Sequence, residues 1–114
     1  MKTLERNHLD ANEFAAIREV AARLKHDLPV GRVVLFGSKA RGTAGADSDI
    51  DLLVLTTCPV TSDLRCQISE LVFEAGLVSD LTLTSVVASE QDWQTGLLRL
   101  LPIHGEVDRD GCEV

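Results

Sequence analysis

Two short apolar runs separated by a small polar stretch constrain this chain more than any other feature. The first is Val33-Val34-Leu35-Phe36, closed by Gly37; the second is residues 50–55, Ile-Asp-Leu-Leu-Val-Leu. Continuous apolar runs of this length, rich in β-branched residues, read as strands buried on both faces. The flanking sequence supplies the helices to cover them. From residue 11 to 28, Phe14, Ile17, Ala21, Leu24 and Leu28 recur at three- and four-residue spacing, one face of an amphipathic helix. Asp10 with Glu13 forms a capping-box pattern at its start, and Pro29 stops it. Ser38 stands at a helix-start position after Gly37, and residues 43–48 are small and polar, a loop.

Thr61 can cap a second helix carrying Leu64, Ile68, Leu71, Val72 and Ala75, with Gly76 expected at its end. Residues 78–87 then read as a third strand. Ser89 with Asp92 opens a last helix bearing Trp93, Leu97 and Leu100, with Pro102 as its expected stop. Residues 103–114 are weakly patterned and suggest a turn and a short edge strand. Helices alternating with strands predict an α/β (α+β) fold on one central sheet, and 114 residues suit a single domain, residues 1–114.

Charge and composition narrow the function. The net charge of -7 argues against a free-standing nucleic-acid binder, because counterion release favours a basic face. It leaves nucleotides open, since a metal ion can bridge a triphosphate to carboxylates. No apolar stretch approaches the roughly 20 residues that cross a bilayer, so no membrane partner is expected. Cys58, Cys66 and Cys112 are odd in number and lack metal-ligand spacing, which suits a reducing cytoplasm.

The acids near the strands carry the chemistry. Asp49 and Asp51 are two apart at the head of the second run, so both side chains leave one face of a strand. Like charges held that close repel unless a cation lies between them, and paired carboxylates suit Mg²⁺. An isolated Asp-x-Asp is also compatible with two solvated acids at a loop edge. Asp80, in a similar position on the expected third strand, adds a further carboxylate. Three carboxylates meeting across neighbouring strands can hold two metals, the arrangement that clamps an in-line phosphoryl displacement. Gly37 and Ser38 end the first strand in a turn whose amides and hydroxyl can face an anion, although a serine after a strand is also an ordinary helix start. The run is not a Walker-type loop. His8, His26 and His104 are far apart and read as surface or packing residues; Trp93 reads as core, and Lys39 is assigned no functional role.

In order, Phe36-Gly37-Ser38-Lys39-Ala40-Arg41-Gly42, a ten-residue interval after Ser38, and Ser48-Asp49-Ile50-Asp51-Leu52 resemble the signature of the DNA polymerase β-like nucleotidyltransferase superfamily. The local wording is similar to its small prokaryotic branch, the minimal nucleotidyltransferases of the MntA antitoxin type. The resemblance implies a mixed central sheet flanked by helices and a site using two Mg²⁺ ions and ATP or another nucleoside triphosphate. Asp49 and Asp51 would bind both metals. Asp80 would bind the one beside the attacking hydroxyl and help remove its proton. Gly37 and Ser38 would hold the β- and γ-phosphates, and Arg41 would steady phosphate or acceptor.

The same resemblance implies a helical HEPN-type protein partner, with AMP moved from ATP to a tyrosine of that partner. Two other functions compete: nucleotidyl transfer to a small molecule, and a non-catalytic module that binds a nucleotide or masks a toxin by contact. Leu97, Leu98, Leu100 and Leu101 exceed one buried stripe and are candidates for the partner surface.

Overall fold

The structure is a computed structural model that describes residues 1–6, 9–43, 45 and 48–114. His8, and Ala44, Ala46 and Asp47 of the expected loop, lie outside the described residues. The elements run β1 (Lys2–Thr3), α1 (Ala11–Asp27), β2 (Val30–Phe36), α2 (Ser38–Arg41), β3 (Ile50–Thr56), α3 (Ser62–Ser79), β4 (Leu83–Ser89), α4 (Glu90–Thr95), a 3-10 turn (Leu97–Leu100), α5 (Pro102–Asp110) and β5 (Cys112–Glu113). The strands form one mixed sheet in the order β1-β5-β2-β3-β4. β2 pairs antiparallel with both β3 and β5, whereas β4 lies parallel to β3 and β1 parallel to β5.

Strand alternation sorts the two apolar runs onto opposite faces. Val33, Leu35, Ile50, Leu52 and Val54 pack under α1 and α3 with Ile17, Leu24 and Ile68. Val34, Phe36, Leu53 and Leu55 face a smaller cluster with Ala88, Trp93 and Val107. Helices therefore cover both faces, as doubly apolar strands require, and burial of this aliphatic surface drives the fold at roughly 25 cal/mol per Å². By the same alternation Asp51 stands on the face of Leu53 and Leu55.

The local start signals act as the sequence implies. Asp10 and Glu13 form a reciprocal capping box, Thr61 accepts from the Leu64 amide and Ser89 from the Asp92 amide. The stop signals do not. Gly76 is not the end of α3, which continues to Ser79. The glycine serves packing instead: the Leu81 carbonyl passes so close that a Cβ on Gly76 would lie 2.7 Å from it. Pro102 begins a helix rather than ending one, which its fixed φ and missing N–H permit at a first helical position. The tail is thus α5 followed by a short strand. That strand, β5, lies inside the sheet, because β1 pairs on its outer side.

The expected third strand starts later than its apolar pattern suggests. β4 begins at Leu83, and Asp80 closes α3 in a left-handed conformation, φ 56° and ψ 44°. The Leu81 amide donates to the Gly76 carbonyl and the Asp80 amide to that of Leu77. These are the paired bonds of a Schellman ending, whose left-handed position aspartate tolerates better than most residues.

Candidate functional site

The antiparallel β2–β3 pair brings the end of one strand beside the start of the other. Phe36 is the register partner of Asp51, so Gly37 follows immediately next to the Asp51 carboxylate. Gly37 has φ 77° and ψ -159°, a region open essentially to glycine alone. A Cβ there would overlap Asp51 Oδ2, so glycine is required both by the backbone and by the neighbouring acid. Gly37 is the N-cap of α2 and Ser38 its first residue, one position inside the cap that the sequence suggested. The Arg41 amide donates to the Gly37 carbonyl at 3.1 Å, closing the first turn. The amides at Ser38, Lys39 and Ala40 belong to that first turn, which a helix leaves without intrahelical acceptors. α2 is a single turn, so local amides rather than a helix dipole would meet an anion here.

The other side of Asp51 is β4. Its parallel register pairs Asp51 with Thr84, and the Thr84 hydroxyl donates to Asp51 Oδ1 at 2.7 Å. One carboxylate oxygen therefore lies against the glycine turn and the other against a hydroxyl. Asp51 is half-buried, while Asp49, Arg41 and Thr84 are exposed. The site is an open surface at the head of β3 and β4. A cavity of about 350 Å³ lined by Lys2, Glu5, Leu35, Lys39, Ala40 and Cys112 shares the α2 turn with the site but none of Arg41, Asp49, Asp51 or Thr84, and a cleft of about 440 Å³ between Thr56–Thr57 and Glu90–Gln91 shares none of its residues.

Asp80 does not join the pair. It caps a helix three residues before β4, and among the described residues no three His, Cys, Asp or Glu side chains come together in a metal-binding group. Of the three expected acids the structure leaves Asp80 at the helix ending, places Asp49 exposed just before β3, and brings the Thr84 hydroxyl rather than a third acid to the Asp51 carboxylate. Carboxylate oxygens such as those of Asp49 and Asp51 are the donor type that suits a hard divalent cation such as Mg²⁺. Thr84 was missed because the strand start was placed at residue 78. With the helix ending fixed at Asp80, the register puts Thr84 opposite Asp51.

Lys39, which the sequence left without a functional role, has a structural one. It is buried, and its ammonium sits 2.5 Å from Glu13 Oε2, with side chains only 6% and 7% exposed. Glu13 also accepts the Asp10 amide through Oε1. The pair ties α2 to the start of α1 and so holds the glycine turn in place. Elsewhere Arg32 bridges Glu113 and Glu90. Burial lowers the affinity of its guanidinium for the proton, but the hydrogen bonds and charges of Glu113 and Glu90 outweigh this and raise its pKa. His104 stacks on the buried Trp93 ring at 4.6 Å, both packing residues as expected, and His26 is exposed beside Asp27.

With this geometry in hand, comparison with known proteins decides the family. A family model described as a nucleotidyltransferase domain matches residues 17–94, from α1 through the glycine turn and the acid pair into α4. The chain belongs to the nucleotidyltransferase domain family. No curated protein matches this nucleotidyltransferase in sequence. Among solved structures it is similar to a toxin–antitoxin crystallised with AMP-PNP, at 20% identity and TM-score 0.58, covering 87% of this chain and 69% of that one. It is also similar to the toxin–antitoxin MntA-HepT, at 17% identity and TM-score 0.55, covering 88% and 69%. At this identity the likeness shows the fold, and that fold agrees with the resemblance to minimal nucleotidyltransferases. Among the described residues, no helix of the nucleotidyltransferase is long and apolar enough to cross a membrane.

Proposed function

We propose that this nucleotidyltransferase acts as one cytoplasmic domain that moves AMP from ATP to a hydroxyl of a helical protein partner, as the antitoxin of a HEPN-type toxin pair. The observation that carries the reading is the wedging of Asp51 between the Gly37 turn and β4, which orients one carboxylate beside amides suited to phosphate. Asp49 and Asp51 would hold a divalent cation, whose chemistry is to neutralise triphosphate charge as the leaving group departs. The amides of the Gly37-Ser38 turn would receive the β- and γ-phosphates, and exposed Arg41 would reach phosphate or acceptor. In the reaction the acceptor oxygen bonds the α-phosphorus. The bond from that phosphorus to the bridging oxygen breaks, pyrophosphate leaves with the electron pair, and the hydroxyl proton passes to water.

An acceptor carried by another protein suits an open site better than a small molecule, which needs walls to position it. On the sheet side that bears Asp51, Val86, Leu97, Leu100 and Leu101 remain exposed, apolar surface of the kind a partner covers. The net charge of -7 would draw a basic, RNA-cleaving partner, with association weakening as salt rises. Solved relatives of this fold are toxin–antitoxin complexes, one of them with AMP-PNP, which supports the same choice.

A second reading, a module that binds nucleotide and masks the toxin without turnover, is favoured by one observation: a hydroxyl, not a third acid, faces Asp51. Incubating the chain with its co-purifying partner, Mg²⁺ and α-labelled ATP separates the two. Transfer predicts label on the partner and its loss in Asp51→Ala. Neutralisation by Asp51→Ala without labelling would establish masking instead.

A further inference from the structure

Paired carboxylates attract one cation, and a second ion close by needs a further anionic ligand to offset its charge. The position that would supply such a ligand is defined by the sheet. Asp51 stands on the β3 face shared with Leu53 and Leu55, and its register partner on the adjoining parallel strand is Thr84. Thr84 directs its hydroxyl to Asp51 Oδ1 at 2.7 Å, so it occupies the side of the carboxylate away from Gly37. A neutral hydroxyl donating to the carboxylate stabilises its charge without adding any. The third acid expected from the sequence, Asp80, is spent on the left-handed helix ending, and no group of three metal-ligating side chains forms among the described residues.

We propose that this chain departs from a two-ion site and holds a single divalent cation with its nucleotide, residue 84 being the position that sets the count. This rests on the nucleotide-binding reading given above. Thr84 is a positioning residue: it fixes the Asp51 carboxylate for the one ion and withholds the charge a second would require. The departure has a chemical consequence. Among the described residues no carboxylate of β4 stands beside Asp51 to receive the acceptor's proton, so that proton leaves to water or to a base of the partner protein.

Counting bound Mn²⁺ by electron paramagnetic resonance, with AMP-PNP saturating, tests the proposal without relying on turnover. The expected result is a single ion per wild-type chain and a second in Thr84→Asp. Thr84→Ser, which keeps the hydroxyl, should match wild type. Thr84 is exposed, so the aspartate has room and folding can be checked by thermal melting. Adding Mn²⁺ should raise the melting temperature of Thr84→Asp more than that of wild type, because the added acid repels Asp51 until the cation arrives. Two ions in wild type would overturn the single-cation proposal while leaving the nucleotidyltransferase reading intact. An unchanged count in folded Thr84→Asp would overturn the role given to residue 84. No ion at all with AMP-PNP would instead overturn the nucleotide-binding reading and this proposal with it.

Discussion

Replacing Gly37 with alanine probes the packing of the glycine turn against the acid pair. The backbone at φ 77° and ψ -159° is a conformation that costs a non-glycine residue about 1–3 kcal/mol. The new methyl would also overlap Asp51 Oδ2, and moving that carboxylate strains its hydrogen bond to Thr84. A hydrogen bond to a charged group contributes about 1.5 kcal/mol at the lower end, suitable for an exposed hydroxyl. The sum is a loss of roughly 2.5–4.5 kcal/mol. With a urea m-value of about 1.5 kcal/mol/M, the unfolding midpoint should fall by roughly 2–3 M.

A double-mutant cycle isolates the clash from the backbone strain. Asp51→Ala in the Gly37→Ala background removes the overlapping oxygen, so the second change should cost less than it does in wild type. A coupling of about 1 kcal/mol is expected for groups in such contact. Gly37→Ala within about 0.5 kcal/mol of wild type, or strictly additive losses, would refute the argument that this turn is glycine because of Asp51.

Other substitutions separate structure from function at neighbouring positions. Lys39→Met leaves the Glu13 carboxylate buried without its cation and should cost about 3 kcal/mol by urea unfolding, whereas a solvated lysine would cost almost nothing. Asp80→Gly relieves a left-handed non-glycine residue and should stabilise by up to about 1 kcal/mol, with Mn²⁺ binding unchanged. A weakened Mn²⁺ affinity in that variant would return Asp80 to the metal site. Burial pushes the Cys112 thiol above its ordinary pKa, an effect that the charge of Lys2 only partly opposes. Iodoacetamide at pH 8 should therefore label exposed Cys66 well before Cys112, with Cys112 labelling rising only in more alkaline solution, as read by peptide mass spectrometry.

Much of this molecule is written locally. The runs at β2 and β3 are apolar on both faces, so they demanded helices on both sides, and the capping residues Asp10, Thr61 and Ser89 set three helix starts through bonds to amides three residues away. The glycine-serine turn and the strand that carries Asp51 were equally legible, because their spacing along the chain follows from one short antiparallel excursion. Helix endings were not, since Gly76 and Pro102 each permit more than one backbone course, and only packing selects between them.

What tertiary structure alone decided is which side chains meet. Whether residue 80 or residue 84 faces Asp51 depends on where α3 releases the chain into β4, and a shift of four residues there exchanges an acid for a hydroxyl. Lys39 likewise carries no local mark of burial in a short helical turn, and becomes an internal cation only because α1 brings Glu13 over it. Sequence determines the local conformations because their bonds span a few residues. Pairings between distant residues are settled by how whole elements bury their apolar faces together.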